Sequence, residues 1–314
     1  MDYTDIMRKG IEEYLDAELC FINTTGIDLK FSYRNSMHRI KNFFSKLFFN
    51  RNEKKLFYET AIQQKLEELF ADHPRFDDIL ILRPDLIKVH LDDIREHGKR
   101  MIAYFWDSFS RIPDGRNTIK YFDKFFSFEP KDVKAYNLLF LTNFYPPDLL
   151  SHKSDQQNFD LSYVASYDAR VETLEDILSS LRPLHLKTNI NIIATTAVPS
   201  KNQDDRSISW FTDVLPRNET IRMMKQSKVL LDIAQPKQEG LSFRIFEAMA
   251  LEKKVITTNP AIASYDFYNP ENIFIWEEGC TPPANGFFTN AYASLPAGIV
   301  EKYSLQNWVN KIFE

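Results

Sequence analysis

Only two cysteines and eight glycines occur in 314 residues, and each scarcity closes off a class of function. Cys20 and Cys280 lie far apart without zinc-type spacing, which leaves no disulfide framework and suits a reducing compartment. With so few glycines there is no G-x-G-x-x-G and no P-loop, so a phosphate is not cradled in either usual way. The six histidines make no H-x-x-x-H pair. No apolar run reaches the roughly 18 to 20 residues of a spanning helix, and the first residues lack the charged-then-apolar layout of a signal peptide. A cytoplasmic location is expected. A net charge of -5 and a pI near 5.8 supply no global basic field, so a nucleic-acid partner is not expected.

What is present is an ample supply of apolar residues, 44% of the chain, at a length that favours two domains. Strand-length apolar runs alternate with amphipathic helical runs, the rhythm of α/β proteins. In the first half the strand-like runs are "AELCFIN", "DILILR", "RMIAYFW", "KFFSF" and "LLFLTNF", and the economical arrangement is a parallel, doubly wound sheet. At 145 to 158, "YPPDLLSHKSDQQN" breaks the rhythm with paired prolines and a polar tail, the composition of an interdomain crossing. The predicted organisation is therefore a first domain over 1–155, a second over 156–298, and a closing helix over 299–314 that packs back towards the first. The second alternation runs through "FDLSYVA", a helix from about Val171 to Leu186, "INIIATT", "ISWFTDVL", a helix opening at "RNETIRMM", "KVLLDIA", a helix within 238–258, "KVITT" and "NIFIW".

That penultimate helical stretch, "QEGLSFRIFEAMALEKKVITT", carries Glu239 and Glu247 eight positions apart in an otherwise apolar pattern. Its start follows the strand "KVLLDIA", at the sheet edge where open α/β proteins bind ligands. Gly240 permits close backbone approach, and the first amides of the helix, at Leu241, Ser242 and Phe243, can face an anion. On one continuous helix the two carboxylates would lie roughly 12 Å apart along the axis, a span that suits an extended ligand. The same spacing also fits Glu239 as a favourable charge at the positive helix end and Glu247 on a solvated face beside Arg244.

"EGLSFRIFEAMALEKKVITT" resembles the E-x7-E segment of GT-B glycosyltransferases, two-Rossmann-domain enzymes that transfer sugars from nucleotide donors, mostly with retention. The resemblance implies that Glu239 accepts hydrogen bonds from donor-sugar hydroxyls and that Glu247 holds the ribose. Gly240, Leu241, Ser242 and Arg244 fall within the same donor-binding segment. "WDSF", "YFDKFFSFEPKD", the "Q-x-GLS-x-R-x-FEA" core and "ITTN…YDFYNPENIFI" are similar to a bacterial subgroup that builds capsule, lipopolysaccharide and other surface glycans. Where such enzymes often carry a glycine and a cation pair, this chain reads "LSYVASYDAR", leaving only Arg170 to neutralise the leaving diphosphate. No metal cofactor is implied, and no Asp-x-Asp triplet of the kind used by the other common glycosyltransferase fold occurs. Asp107, at the end of "AYFWDSF", is the candidate for orienting the acceptor hydroxyl, with capping of the turn at Ser108 as the structural alternative. Arg83 shares that edge. Two other functions stay open: a non-catalytic GT-B-like partner in a glycan-assembly complex, and an unrelated nucleotide-binding α/β enzyme.

Two further expectations concern the first domain. From Arg34 to Lys55, basic residues interleave with Phe43, Phe44, Phe48 and Phe49, which fits either a helix seated on an anionic membrane surface, placing the enzyme at the inner face of the plasma membrane, or a helix packed on the first sheet. The chain also opens with a helical pattern leading to a strand at Leu19 to Ile22, so the usual first strand of the half is expected to be missing, with roughly ten further apolar residues expected upstream; the alternatives are that another segment fills its slot, or that the first domain is only a scaffold and catalysis is impaired.

Overall fold

A computed structural model describes residues 3–24, 35–37, 39–40, 42, 52–150, 156–194 and 207–314. The chain is α/β with two parallel sheets and divides into two compact units. One comprises Ala17–Ser127 and Tyr136–Leu139; the other gathers Met1–Asp16, Phe128–Ala135 and Phe140–Glu314. The N-terminal helix α1 (Tyr3–Tyr14) thus belongs with the second sheet.

In the first unit, helix α2 (Glu53–Asp72) is capped by the Asn52 side chain, which accepts from the amides of Lys54 and Lys55. Strands β1 (Phe76–Leu82), β2 (Gly98–Phe105), β3 (Lys124–Ser127) and β4 (Leu139–Phe140) line up in sequence order, with β1, β2 and β3 parallel. Helix α3 (Leu91–His97) joins β1 to β2, whereas α4 (Pro130–Tyr136), next in sequence after β3, falls almost wholly in the other unit. Ile62, Leu66 and Phe70 of α2 pack with Ile81, Ile87, Leu91, Ile94 and Met101 as the core.

Two expectations fail here. The run "AELCFIN" is irregular chain, not a strand, and its Phe21 is exposed. Among the described residues the strands of this sheet also never reverse their order, so neither a doubly wound arrangement nor a central slot is seen there, and β1 is the outermost described strand. Most of the basic aromatic stretch, including all four of its phenylalanines, lies outside the described residues.

The second sheet is doubly wound. Its strands are β5 (Phe159–Ser166), β6 (Thr188–Ile193), β7 (Ile208–Phe211), β8 (Ser227–Asp232), β9 (Lys254–Thr257) and β10 (Ile273–Ile275). Their order is β10-β9-β8-β5-β6-β7, all parallel, so the chain moves outward from β5 and then returns to β8 on the other side. The order reverses between β5 and β8. Helices α5 (Arg170–Leu181), α6 (Arg217–Lys225) and α7 (Phe243–Ala250) make the crossovers. Both faces are covered, as the continuous apolar strands require. Val229 and Leu231 point to the layer holding Leu174 and Ile177 of α5, while Leu230 between them points to the layer holding Ile245, Phe246 and Met249 of α7.

After α8 (Asn285–Thr289) and α9 (Ala297–Lys302), helix α10 (Leu305–Phe313) closes the chain and packs against α1. The approach is close: a Cβ on Gly10 would stand 2.5 Å from a Leu305 methyl carbon. The paired-proline stretch begins inside this unit rather than as a solvated crossing. Tyr145 and Leu149 are buried among Phe246, Phe267 and Tyr303, and Tyr145 exchanges backbone hydrogen bonds with Tyr303 and Leu305. Its polar part, 151–155, lies outside the described residues.

Candidate functional site

The carboxyl ends of β5 and β8 flank the point where the strand order reverses, and the loops leaving them carry most of the residues singled out from sequence. Such a point opens a crevice in any doubly wound sheet, because the two crossovers leave on opposite faces.

From β5, Asp168 and Arg170 form a local clamp. Arg170 opens α5 and gives Nε and Nη2 to the Asp168 carboxylate at 2.8 to 3.0 Å, while its Nη1 donates to the Ile233 carbonyl at 3.1 Å. Gln235 adds a contact to Asp168 at 3.3 Å. The arginine therefore ties the ends of β5 and β8 together and already has a counter-charge.

From β8, the chain runs through Asp232 into the turn Glu239–Ser242 and then α7. The expected single helix over both glutamates is not formed. Helix α7 begins at Phe243, after Ser242 in extended conformation, so Glu247 is helical and Glu239 is not, and the axial spacing derived for a continuous helix does not apply. The reason is a set of tertiary hydrogen bonds that hold the preceding turn out of the helix. Asn259 donates to the carbonyls of Glu239 and Gly240 at 3.1 and 3.4 Å, and Asn143 donates to that of Leu241 at 2.8 Å. The amides of Glu239 and Gly240 both donate to Glu129, at 3.0 and 3.2 Å. Ser242 does not cap α7 through its side chain; its hydroxyl donates to Asp232 at 2.7 Å, and the other Asp232 oxygen accepts from Thr257 at 2.9 Å.

The two glutamates sit in different environments. Glu239 is half-exposed and its carboxylate lies 3.0 Å from Lys131 Nζ. Glu247 is buried; it is not on a solvated face. Its Oε1 accepts from the Tyr3 phenol at 2.7 Å, with Arg217 Nη2 at 3.5 Å. The Tyr3 ring stacks on Phe243 with centroids 3.7 Å apart. Burial pushes the Glu247 carboxyl up from its ordinary value, while the Tyr3 hydrogen bond and the charges of Arg217 and Arg244 pull it back. Burial, and then the Glu247 charge, raise Tyr3 well above the ordinary phenol value, so Tyr3 is a donor at neutral pH. Among the described residues two buried nitrogens of Arg217 have no hydrogen-bond acceptor, and its ion pairs are with Glu247 at 3.5 Å and Asp148 at 3.7 Å.

Arg244 makes no ion pair with a carboxylate among the described residues, although its charge is felt at Glu247. Its guanidinium donates to the Val164 carbonyl and lies 3.5 Å from that of Leu231, over the Tyr163 ring. Like Arg170, it bridges β5 and β8.

In the first unit, Asp107 is buried just past β2. Its Oδ1 accepts from the Ser108 amide at 3.0 Å, and its Oδ2 has Arg111 at 3.0 Å and Arg83 at 3.5 Å. The turn-capping contact is formed, and both oxygens are engaged. Arg83 adopts a left-handed backbone, φ 59°, uncommon for a residue with a Cβ, and is held by two hydrogen bonds to Asp85 at 2.8 Å each.

Glu129, Asp232, Asn259, Tyr3 and Arg217 were not anticipated from sequence. Among the described residues no cluster of three or more His, Cys, Asp or Glu side chains is arranged to hold a metal ion, and no helix is long and apolar enough to cross a membrane.

No protein-family model matches the chain, and no curated protein matches its sequence. Among solved structures it is similar to an alpha,alpha-trehalose-phosphate synthase (UDP-forming) from Burkholderia vietnamiensis, at 11% identity and TM-score 0.49 over 84% of this chain and 79% of that one. It is also similar to a sucrose-phosphate synthase from Thermosynechococcus elongatus (11% identity, TM-score 0.47, 84% and 76%) and to a glycosyltransferase from Rickettsia africae (11%, 0.40, 92% and 80%).

Proposed function

We propose that this chain is a glycosyltransferase that moves one sugar from a nucleotide-sugar donor to a surface-glycan acceptor, of capsule, lipopolysaccharide or glycoprotein type, with retention at the anomeric carbon. The observation that carries the reading is the convergence of the Glu239–Ser242 turn with the ends of β5 and β8 at the switch point of a doubly wound sheet. In this reading Glu239, half-exposed, accepts hydrogen bonds from donor-sugar hydroxyls, and Gly240, Leu241 and Ser242 line the donor beside it. Glu247 holds the ribose. Because the Tyr3 phenol already donates to that carboxylate, a ribose hydroxyl shares it with Tyr3 or takes its place. Arg170 and Arg244 contribute positive potential towards the departing diphosphate from positions where they also bridge β5 and β8, and preorganised charge of this kind is an effective stabiliser of a leaving anion. Retention without an enzymatic nucleophile means front-face attack by the acceptor hydroxyl on an oxocarbenium-like centre. Orientation of that hydroxyl is assigned to Asp107, and a seat on anionic membrane to the stretch 34–55.

A thermal-shift panel of nucleoside diphosphates and nucleotide sugars tests the reading. Selective stabilisation by one base, in both its diphosphate and its sugar-linked form, is expected from ligand linkage. A flat response to every nucleotide at millimolar concentration contradicts it.

A further inference from the structure

The segment "FEPK", Phe128 to Lys131, touches the Glu239–Gly240 turn three times. Glu129 is buried, and its Oε2 accepts from the consecutive amides of Glu239 and Gly240 at 3.0 and 3.2 Å, while its Oε1 lies 3.4 Å from its own neighbour's amide at Lys131. Phe128 lies so close to Gly240 that an added Cβ would stand 2.6 Å from its carbonyl oxygen and 2.5 Å from its ring. Lys131 Nζ is 3.0 Å from the Glu239 carboxylate itself. On the opposite side, Asn259 takes the two carbonyls of the same turn. The backbone of Glu239 and Gly240 is thus held through its amides and its carbonyls at once, and the Glu239 side chain is the part left accessible.

A single carboxylate oxygen shared by two adjacent amides is an anion seated in a backbone nest. Two consequences follow. The amides of Glu239 and Gly240 are closed to a ligand phosphate, and the direction of the Glu239 side chain depends on a carboxylate 110 positions earlier in the chain.

We infer that Glu129 is a positioning residue of the donor-sugar site, fixing the turn so that the Glu239 carboxylate is presented in one orientation to the sugar hydroxyls. The inference rests on the donor-sugar role proposed above for Glu239. A residue that fixes a contact made only by the sugar must affect sugar-linked donors and spare the bare nucleotide, which a merely structural residue would not do. Burial raises the Glu129 carboxyl from its ordinary value and the three amides pull it back, in keeping with a carboxylate built into the fold.

The test has two arms. In the first, titration calorimetry measures the dissociation constants of UDP, ADP and GDP and of their glucose or mannose conjugates on the folded wild type, Glu129→Ala, Glu129→Gln and Glu129→Asp. Both Glu129→Ala and the charge-retaining but shorter Glu129→Asp are expected to keep the bare diphosphate within about twofold of wild type and to worsen the conjugate-to-diphosphate ratio about tenfold. Glu129→Gln, which keeps an acceptor oxygen at full reach, restores most of the ratio. In the second arm, hydrogen exchange of the peptide covering 238–242 is expected to accelerate in Glu129→Asp without any ligand. An unchanged ratio in folded Glu129→Asp and Glu129→Ala, or unchanged exchange in that peptide, overturns the inference alone. Failure of the unmutated protein to bind any nucleotide overturns the donor-site reading and takes this inference with it.

Discussion

Changing Tyr3 to Phe removes one oxygen and leaves the ring stacked on Phe243. The oxygen removed is the one that donates to Glu247 at 2.7 Å. A hydrogen bond to a charged group contributes about 1.5 to 3 kcal/mol when its loss leaves the acceptor buried. Arg217 remains at 3.5 Å and compensates in part, which places the expected loss near the lower end, about 1.5 to 2 kcal/mol. For a cooperative unit of about 200 residues, each kcal/mol lowers the melting temperature by roughly 2 to 4 °C, so Tyr3→Phe should melt roughly 3 to 8 °C below wild type at neutral pH. Thermal unfolding by circular dichroism reads this directly. The same substitution in a Glu247→Gln background should cost less, because the charge that strengthens the bond is already gone, and the difference isolates the pair. A melting temperature unchanged within a degree, or full additivity of the two substitutions, refutes the account of Tyr3 as the partner that allows Glu247 to be buried.

Three other outcomes follow from the same contacts. Gly240→Ala forces a Cβ to within 2.6 Å of the Phe128 carbonyl, which cannot swing aside as a side chain can, and should destabilise by about 1 to 3 kcal/mol in denaturant unfolding; wild-type stability would show that the close approach is not formed. Burial raises the carboxyls of Glu129 and Glu247, so the folded chain keeps their protons to higher pH than the unfolded chain; their contribution to stability is greatest below the ordinary glutamate range and falls as pH climbs through the raised values. Glu247→Gln should flatten that slope in melting temperature against pH, a slope shaped also by Tyr3, Arg217, Arg244 and Asp148 around it, and an unchanged profile contradicts the assignment. Vesicles containing anionic lipid should co-sediment with the protein in a salt-sensitive manner, and replacing Arg39, Lys41 and Lys46 with Glu should abolish pelleting; equal pelleting removes the membrane role.

The second sheet was legible because each of its central strands is a continuous apolar run buried on both faces, and such runs as "KVLLDIA" and "KVITT" carry their own signal. "AELCFIN" has the same composition and forms no strand. A short apolar run becomes a strand only when a neighbour supplies a ladder, and composition does not say whether one exists. The strand order of the first sheet was equally hidden, since in-order and reversed sheets share one alternation of elements.

The site divides the same way. The helix expected from about Val171 is formed and opens one residue earlier, at Arg170, and Glu239, Gly240 and Ser242 occupy the turn at the sheet edge. What the sequence could not carry was which partner each would find. Tyr3 meets Glu247 across 244 positions and Glu129 meets Gly240 across 111, and neither pair leaves a local pattern. For Arg244 the sequence offers a place in the donor-binding segment or a carboxylate partner, because charge is visible in a sequence, whereas the carbonyl ends of β5 and β8 that it bridges are visible only in the fold. One local signal was available for the turn. A glycine between a glutamate and a leucine marks a place where backbone or ligand comes close, and here Phe128 does so.

The central claim is that Glu247 and Glu239 divide the donor between them, and titration calorimetry of wild type, Glu247→Ala and Glu239→Ala with the stabilising nucleoside diphosphate and its sugar conjugate measures it most directly. Loss of a charge-assisted contact to the ribose costs about 1.5 to 3 kcal/mol, so Glu247→Ala should weaken the diphosphate itself by roughly ten- to a hundredfold. Glu239→Ala should leave the diphosphate unchanged and weaken or abolish productive use of the sugar conjugate. Wild-type diphosphate affinity in Glu247→Ala would contradict the account.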